Sequence, residues 1–363
     1  MDQYLLGIER LDSYLVIGVL ICFGLIETIS GALEHSSRTK DDWIQEVVSF
    51  LVLSVVIKPG IVLMMIWVGD MILPLEKGLV LDWTLWLTAP LYLLIDDFLQ
   101  YWYHRKAHET DWLWKLHRSH HQAEEMGFFI AYRNAALYYL IMPNIWWIGL
   151  LTFLGGGKAI ALGIVLKQIV IIGSHSSTKW DQFFYKRPSL EPIIQILERI
   201  IITPAFHFSH HGKSMRDNVS DPNGNFGNMF SFWDQMFGTA TFTRAYPEAL
   251  GLDRPTEDSW AAAYLYPAVT SADPESELHE DWKRKDTREK DPAELTLDPG
   301  TYLWCTCGHS SQQPFCDGSH HGTKEKPLKF ILEKEKKVRL CNCKLSKRGP
   351  FCDFSHLGFV KQE

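Results

Sequence analysis

Nine of the fifteen histidines fall into spacings that could hold metal. His104-Arg-Lys-Ala-His108 reads H-x3-H, His117-Arg-Ser-His120-His121 reads H-x2-H-H, and His207-Phe-Ser-His210-His211 repeats H-x2-H-H. His175 stands alone at the end of an apolar segment. Residues three or four apart share a helix face. H-x3-H therefore aims two imidazoles one way, and H-x2-H-H does so with its first histidine and the later pair. Three such clusters at the ends of neighbouring helices can converge on one pocket. Eight or nine imidazoles exceed the four or so ligands that zinc takes, so two metals are the natural count. Imidazole suits Zn, Cu, Fe and Ni alike, so ligand type alone leaves the metal open. One histidine at a helix end is ordinarily structural, but three clusters and a ninth residue are not accounted for that way. His35, His279, His309 and His321 are expected on the surface with no role.

A second constellation lies near the C-terminus. Six of the seven cysteines fall between Cys305 and Cys352, each trio followed by a histidine. Cys305-Thr-Cys307…Pro314-Phe-Cys316-Asp-Gly-Ser-His320 recurs as Cys341-Asn-Cys343…Pro350-Phe-Cys352-Asp-Phe-Ser-His356, every matched residue offset by 36 positions. Spacing this close reads as metal ligation in a reducing compartment rather than as a disulfide framework. Cys22, alone in an apolar run, is expected to be a small buried apolar residue.

The elements that position these groups are apolar helices. Segments of about 13–33, 46–69, 84–101, 137–154 and 158–174 approach the roughly 20 apolar residues needed to cross a bilayer. Lys58-Pro59-Gly60 should kink or divide the second, and Asp96 and Asp97 lie near the end of the third. Basic residues mark the cytoplasmic side. Arg38, Lys40, Arg105, Lys106, Lys115, Arg118 and Arg133 fall on one side, against Lys77 and Lys158 on the other. That count puts the N-terminus outside and every histidine cluster on the cytoplasmic side. The first residues, with Asp2, Gln3 and Glu9, do not read as a cleavable signal peptide.

The mean hydropathy of −0.09 averages an apolar stretch up to about residue 240 with a charged one from about 270. Residues 271–300 are charged and proline-containing, the composition of a solvated linker. The net charge of −7 argues against a nucleic-acid partner. Aromatic residues, 13% of the chain, suit a large apolar or lipid-facing surface.

The histidine stretches, with their flanks, resemble the fatty acid hydroxylase/sterol desaturase superfamily. The matching runs are Asp96-Asp-Phe-Leu-Gln-Tyr-Trp-Tyr-His104-Arg-Lys-Ala-His108-Glu, Trp114-Lys-Leu-His117-Arg-Ser-His120-His121 and Thr203-Pro-Ala-Phe-His207-Phe-Ser-His210-His211-Gly. Downstream, Asn225-Phe-Gly-Asn-Met-Phe-Ser-Phe-Trp233-Asp-Gln-Met-Phe-Gly238-Thr is similar to the segment following the last cluster in that family, and together the likeness covers roughly 85–250. The alkylglycerol monooxygenase and sterol-oxidising branches look nearest. The resemblance implies a di-iron centre held by His104, His108, His117, His120, His121, His175, His207, His210 and His211, with O2 as co-substrate and a membrane lipid or sterol as substrate. Breaking an unactivated C–H bond is chemistry that a cofactor supplies and the protein positions. Carboxylates are expected to orient the ligand imidazoles, with Asp96, Asp97, Glu109, Glu124 and Asp217 as candidates.

Each C-terminal repeat is similar at every marked position to the CDGSH iron–sulfur motif. The resemblance implies one [2Fe–2S] cluster on Cys305, Cys307, Cys316 and His320, and another on Cys341, Cys343, Cys352 and His356. Phe354 replaces the motif glycine and puts that turn in question. A zinc ribbon is the alternative, but zinc pairs usually read C-x2-C or C-x4-C. The C-x-C spacing, the Asp after each third cysteine and the duplication point to iron–sulfur. The two motifs in one chain imply an intramolecular pair.

The expected fold is mainly α: a multi-span transmembrane helical domain over 1–250 with a cytoplasmic histidine-rich di-iron site, a charged linker over 251–294, and a small, mostly β iron–sulfur domain over 295–363. The leading reading is O2-dependent hydroxylation or desaturation of a membrane lipid or sterol, with electrons from a reductase relayed by the C-terminal clusters. The alternative is a redox or iron sensor, in which that module regulates rather than feeds the membrane domain.

Overall fold

The structure is a computed structural model describing residues 2–34 and 36–359, with side chains described from Tyr14 onward. His35 therefore lies outside the described residues. The helices are α1 (Asp2–Ile29), α2 (Lys40–Val52), α3 (Lys58–Ile72), α4 (Leu85–Glu109), α5 (Asp111–His121), α6 (Ala136–Leu140), α7 (Pro143–Phe153), α8 (Gly157–His175), α9 (Gln182–Tyr185), α10 (Glu191–Ile200), α11 (Pro204–His210), α12 (Phe232–Met236) and α13 (Trp260–Leu265). Four strands follow: β1 (Ala293–Leu297), β2 (Gly300–Trp304), β3 (Leu328–Leu332) and β4 (Lys336–Leu340).

Among the described residues, three stretches are long and apolar enough to cross a membrane: Lys40–Ile72, Ala136–Phe153 and Gly157–His175. Tyr14–Ile29 is apolar but shorter. The predicted kink at Lys58-Pro59-Gly60 takes a specific form. Proline lacks the N–H that continues the helical ladder, and the turn just before it, Leu53–Ile57, widens to a π-helix. α2 and α3 thereby remain one 33-residue stretch. The predicted third span, 84–101, is part of α4 but is not among the three. Its inner face is too polar, because Asp96, Asp97, Gln100 and His104 are all buried there. The outer surface is apolar, with Leu75 92% and Trp86 90% exposed, as a lipid-facing surface should be. Cys22 is exposed on α1 rather than buried.

α4 and α8 pack together and both end at the histidines, His104 and His108 in the last two turns of α4 and His175 as the last residue of α8. Asp96 pairs with Lys167 of α8 across this contact, both side chains buried. Asp97 accepts hydrogen bonds from the Met229 and Phe230 backbone N–H groups at 2.9 Å each. That clamps the loop after α11 to α4. A buried carboxylate so satisfied is a structural anchor, and it needs no metal to explain it.

Residues 251–294 do not form the solvated linker that their charge suggested. Leu252, Ser271, Ser276 and Leu278 are buried, and Ser259 caps α13, accepting from the Ala262 N–H. The charges find partners on α5. Arg118, 2% exposed in its side chain, pairs with Asp258. Glu277 accepts from the Trp114 indole N–H at 2.7 Å, and Arg284 donates to Asp111 at 2.7 Å. Burial raises the carboxyl pKa of Asp258, but the Arg118 guanidinium and three hydroxyl donors more than offset it, so the group sits below its ordinary value. The segment is a strap fastening the C-terminal domain onto α5.

In that domain the strands interleave: β1 pairs antiparallel with β4, and β2 with β3. β2 runs into Cys305 and β4 into Cys341, so each repeat's first ligands follow a strand whose partner lies elsewhere in the domain.

Candidate metal centre

The nine histidines predicted as ligands come together, all buried, in two groups. His104, His108, His117, His121 and His210 form one; His120, His175, His207 and His211 form the other. Within each group the ring nitrogens lie within 4.8 Å of one another.

The division differs from the simple face argument. An α-helix turns about 100° per residue, so adjacent histidines such as His120 and His121 diverge. The pairs four apart, 104/108, 117/121 and 207/211, each stay in one group. The middle histidine of each H-x2-H-H motif, His120 or His210, crosses to the other group. Both motifs therefore serve both groups, which ties the two sites into one dinuclear arrangement.

The ring geometry fits bound cations. Nitrogen faces nitrogen between His207 and His175 at 2.9 Å, His210 and His104 at 3.0 Å, and His211 and His207 at 3.1 Å. The buried Nε2 atoms of His108, His117 and His121 have no hydrogen-bond partner. Buried, unpaired lone pairs aimed at one another are costly unless a cation sits among them. Burial, reinforced for most by neighbouring imidazoles, holds His117, His120, His121, His207, His210 and His211 well below the usual imidazole pKa. They are neutral, the form that ligates.

The groups that orient the rings are not the predicted carboxylates. His104 Nδ1 donates to the Phe226 carbonyl at 2.8 Å, His120 to Ile130 at 3.0 Å, His175 to Ile171 at 2.7 Å and His210 to Gly224 at 2.8 Å. His117 Nδ1 faces the Asn134 amide oxygen at 2.7 Å. Of the carboxylate candidates, Asp96 and Asp97 are occupied as described above, Glu109 pairs with Arg105 and Lys106, Glu124 is exposed, and Asp217 caps its own turn at Val219 and Ser220. Sequence reasoning missed Asn134, which lies outside every histidine motif. It also missed Asp234, which accepts from Phe226 N–H at 2.8 Å and Gly227 N–H at 2.7 Å and so fixes the loop carrying two orienting carbonyls.

A cavity of about 180 Å³ leads from this centre between the helices. Val16, Phe50, Ile145, Ile148 and Ile164 are among its largely apolar lining, with Asp96, Gln100 and Lys167 as polar exceptions, and His104, His117, His120, His175 and His207 share that lining.

The cysteine repeats form two similar sites. In the first, Cys305 and Cys307 sulfurs lie 3.7 Å apart, and Cys316 sulfur lies 3.2 Å from His320 Nδ1. In the second the distances are 3.5 Å for Cys341 and Cys343, and 3.2 Å for Cys352 and His356. A thiolate pair facing a Cys/His pair gives two ligands to each of two irons, which suits a [2Fe–2S] cluster. The surrounding turns match. Ser310 and Ser346 hydroxyls donate to the Phe315 and Phe351 carbonyls at 2.6 Å each, and Asp317 and Asp353 accept from Ser311 N–H and Lys347 N–H. The turn questioned at Phe354 is kept: Gly318 has φ +87° and Phe354 φ +70°. The non-glycine residue pays for this, on the order of 1–2 kcal/mol.

His321 departs from expectation. It is 7% exposed and stacks on Trp114 at 4.8 Å and 15°. His279 Nδ1 accepts from the Asp281 N–H at 3.1 Å, and His309 Nδ1 meets the Lys285 carbonyl at 2.9 Å.

Comparison with known proteins agrees with this division. The fatty acid hydroxylase family matches residues 89–239, and the iron-binding zinc finger CDGSH type matches 273–321, which includes the first repeat. The chain joins a fatty acid hydroxylase domain to a CDGSH domain. Among curated proteins, alkylglycerol monooxygenase of Xenopus tropicalis is 29% identical over 157 residues, 43% of this chain and 30% of that protein. The human mitochondrial CDGSH iron-sulfur domain-containing protein 3 is 48% identical over 52 residues, 14% of this chain and 41% of that protein. The chain thus spans about a third of the alkylglycerol monooxygenase it matches. The crystal structure of the human mitochondrial inner NEET protein is 39% identical, covering 21% of this chain and 86% of that one, with a TM-score of 0.19.

Proposed function

We propose that this protein is an O2-dependent oxidase of membrane lipids or sterols, hydroxylating or desaturating its substrate at two irons, with electrons relayed by its own two [2Fe–2S] clusters. The observation that carries the reading is the convergence of nine buried, carboxylate-free histidines, split five and four, five of them lining a largely apolar cavity. The fatty acid hydroxylase match and the alkylglycerol monooxygenase relatives supply the lipid class. The irons, when bound, supply the oxidant for C–H cleavage. The protein's part is to hold an apolar chain in the cavity, keep water from it, and fix the rings through Phe226, Ile130, Gly224 and Asn134. His104, His108, His117, His121 and His210 hold one iron, and His120, His175, His207 and His211 the other. Cys305, Cys307, Cys316 and His320 hold the first cluster; Cys341, Cys343, Cys352 and His356 hold the second, paired within one chain.

We assign the histidine side to the cytoplasm, from the basic residues near the helix ends, and the ultimate electron source to a separate reductase. The close seating of the first repeat on α5 favours feeding over sensing. The test is composition. The full chain should bind about six irons and about four acid-labile sulfides. Replacing Cys307 and Cys343 by serine should remove the sulfide and leave the histidine-bound irons, about two. Zinc in the histidine centre would overturn the reading.

A further inference from the structure

We propose that the two C-terminal repeats are ordered, the second as electron entry and the first as exit, and that Asn223 couples the first to the histidine centre. This rests on the relay reading above. It adds a direction and a route.

The exit is built from buried groups. His320 Nε2 lies 2.8 Å from the Asn223 side-chain amide, and both residues are buried. With Nδ1 given to the cluster, Nε2 carries the ring proton and donates to the Asn223 amide oxygen, the end that a flip of the amide turns to the ring. The next residue, Gly224, accepts through its carbonyl from His210 Nδ1 at 2.8 Å. Two hydrogen bonds, one side chain and one peptide unit therefore separate a cluster ligand from a ligand of the histidine centre. The first repeat also grips this loop directly, Lys326 donating to the Asn223 carbonyl. A second contact runs alongside. Trp114 stacks on His321 at 4.8 Å, and its ring lies 5.3 Å from His108 and 5.6 Å from His121. The Gly322 N–H donates to the His108 carbonyl at 3.1 Å.

The second repeat is placed differently. Its ligand His356 is only partly buried and sits beside Phe354, 61% exposed, and Leu357, 73% exposed. Between the repeats stands buried Trp304, which immediately precedes Cys305 and donates its indole N–H to the Cys341 carbonyl at 2.8 Å. The solvent-facing site is thus joined to the buried one, and the buried one to His210.

Each passage moves one electron and no proton. With both clusters and the irons bound, an external one-electron donor would be oxidised as the cluster on Cys341, Cys343, Cys352 and His356 is reduced; that cluster would pass the electron to the one on Cys305, Cys307, Cys316 and His320, and from there it would reach the irons held by the histidines. Two passages supply the two electrons a turnover takes from outside. Asn223 is a positioning residue in this scheme, acting through His320 and His210.

The test uses the full chain, reduced anaerobically with dithionite and mixed with O2 while cluster absorbance and paramagnetic signals are followed. His120→Ala, which disables the histidine centre, judges the relay itself: clusters should reoxidise faster in the native protein, and equal rates would overturn the relay and this route with it. Given a relay, Asn223→Leu should slow reoxidation of the first cluster severalfold with cluster content unchanged, and by more than the shift in that cluster's potential, measured alongside, accounts for. Asn223→Asp, which keeps an oxygen facing His320, should restore the native rate. A native rate in Asn223→Leu overturns the route alone. The order is tested with a ferredoxin, its reductase and NADPH as donor. Cys343→Ser should stop reduction of the first cluster by this donor while leaving its dithionite-loaded electrons free to discharge. Undiminished donor-driven reduction in Cys343→Ser would overturn the assignment of the second repeat as entry.

Discussion

Replacing either His120 or His210 by alanine should abolish lipid oxidation, a loss on the order of 10⁴-fold or more, the scale met when one member of a catalytic unit is removed. The two residues belong to different groups of ring nitrogens, so the variants test both sites. Each is the crossing member of its H-x2-H-H motif, and removing it leaves the pair four residues apart in the other group intact. The helices should be little affected, because their packing is apolar and the rings bond to loop carbonyls. Membrane-extracted yield and the C-terminal cluster spectra should therefore match the native protein while substrate oxidation is lost. Retained oxidation in both variants would mean that these clusters are not the metal site.

His320→Cys should lower the reduction potential of the first cluster by on the order of 100 mV or more, because a thiolate in place of a neutral imidazole stabilises the oxidised state. His356→Cys should lower that of the second by a similar amount. The structure adds a difference between the two. His320 also meets Asn223, so its replacement should slow discharge into the histidine centre as well, whereas His356→Cys should change potential alone. Redox titrations followed by electron paramagnetic resonance, paired with reoxidation rates, separate these effects. An unchanged potential in either variant would remove that histidine from its ligand set.

Much of the site was legible because ligand chemistry demands particular residue types at particular spacings. All nine histidines and the paired Cys/His sets meet in space from motifs visible in the chain. Three things were not legible, for separable reasons. The orienting groups are mostly backbone carbonyls, which any residue carries, so Phe226, Ile130 and Gly224 leave no mark in sequence. The partition of the histidines follows from helix rotation at adjacent residues. The spacing permits it but does not announce it. The strap over 251–294 reads as solvated because composition counts charges without their partners. Arg118, Asp111 and Trp114 on α5 turn Asp258, Arg284 and Glu277 into anchors. The same blindness hid His321, whose burial depends on Trp114, 207 residues earlier in the chain.

The helices show the same limit. The first, second, fourth and fifth apolar runs correspond to helices, but 84–101 is the front of a longer helix with a polar inner face. Its Asp96 and Lys167 satisfy each other only once α4 and α8 are packed. Hydropathy scores each segment alone, and so cannot see that pairing.

The central claim, that the histidine centre oxidises lipid and draws on the chain's own clusters, is tested most directly by counting products in a single anaerobic loading. The full chain in lipid nanodiscs is reduced completely, freed of reductant, and exposed to O2, and oxidised lipid per chain is measured by mass spectrometry. A reduced chain stores about four electrons, two at the histidine centre and one in each cluster. At two per turnover it should yield about two oxidised lipids, and the Cys307→Ser, Cys343→Ser double variant about one. One product from both proteins would show that the clusters do not feed the centre, and no oxidised lipid from either, with every iron reoxidised, would contradict the account.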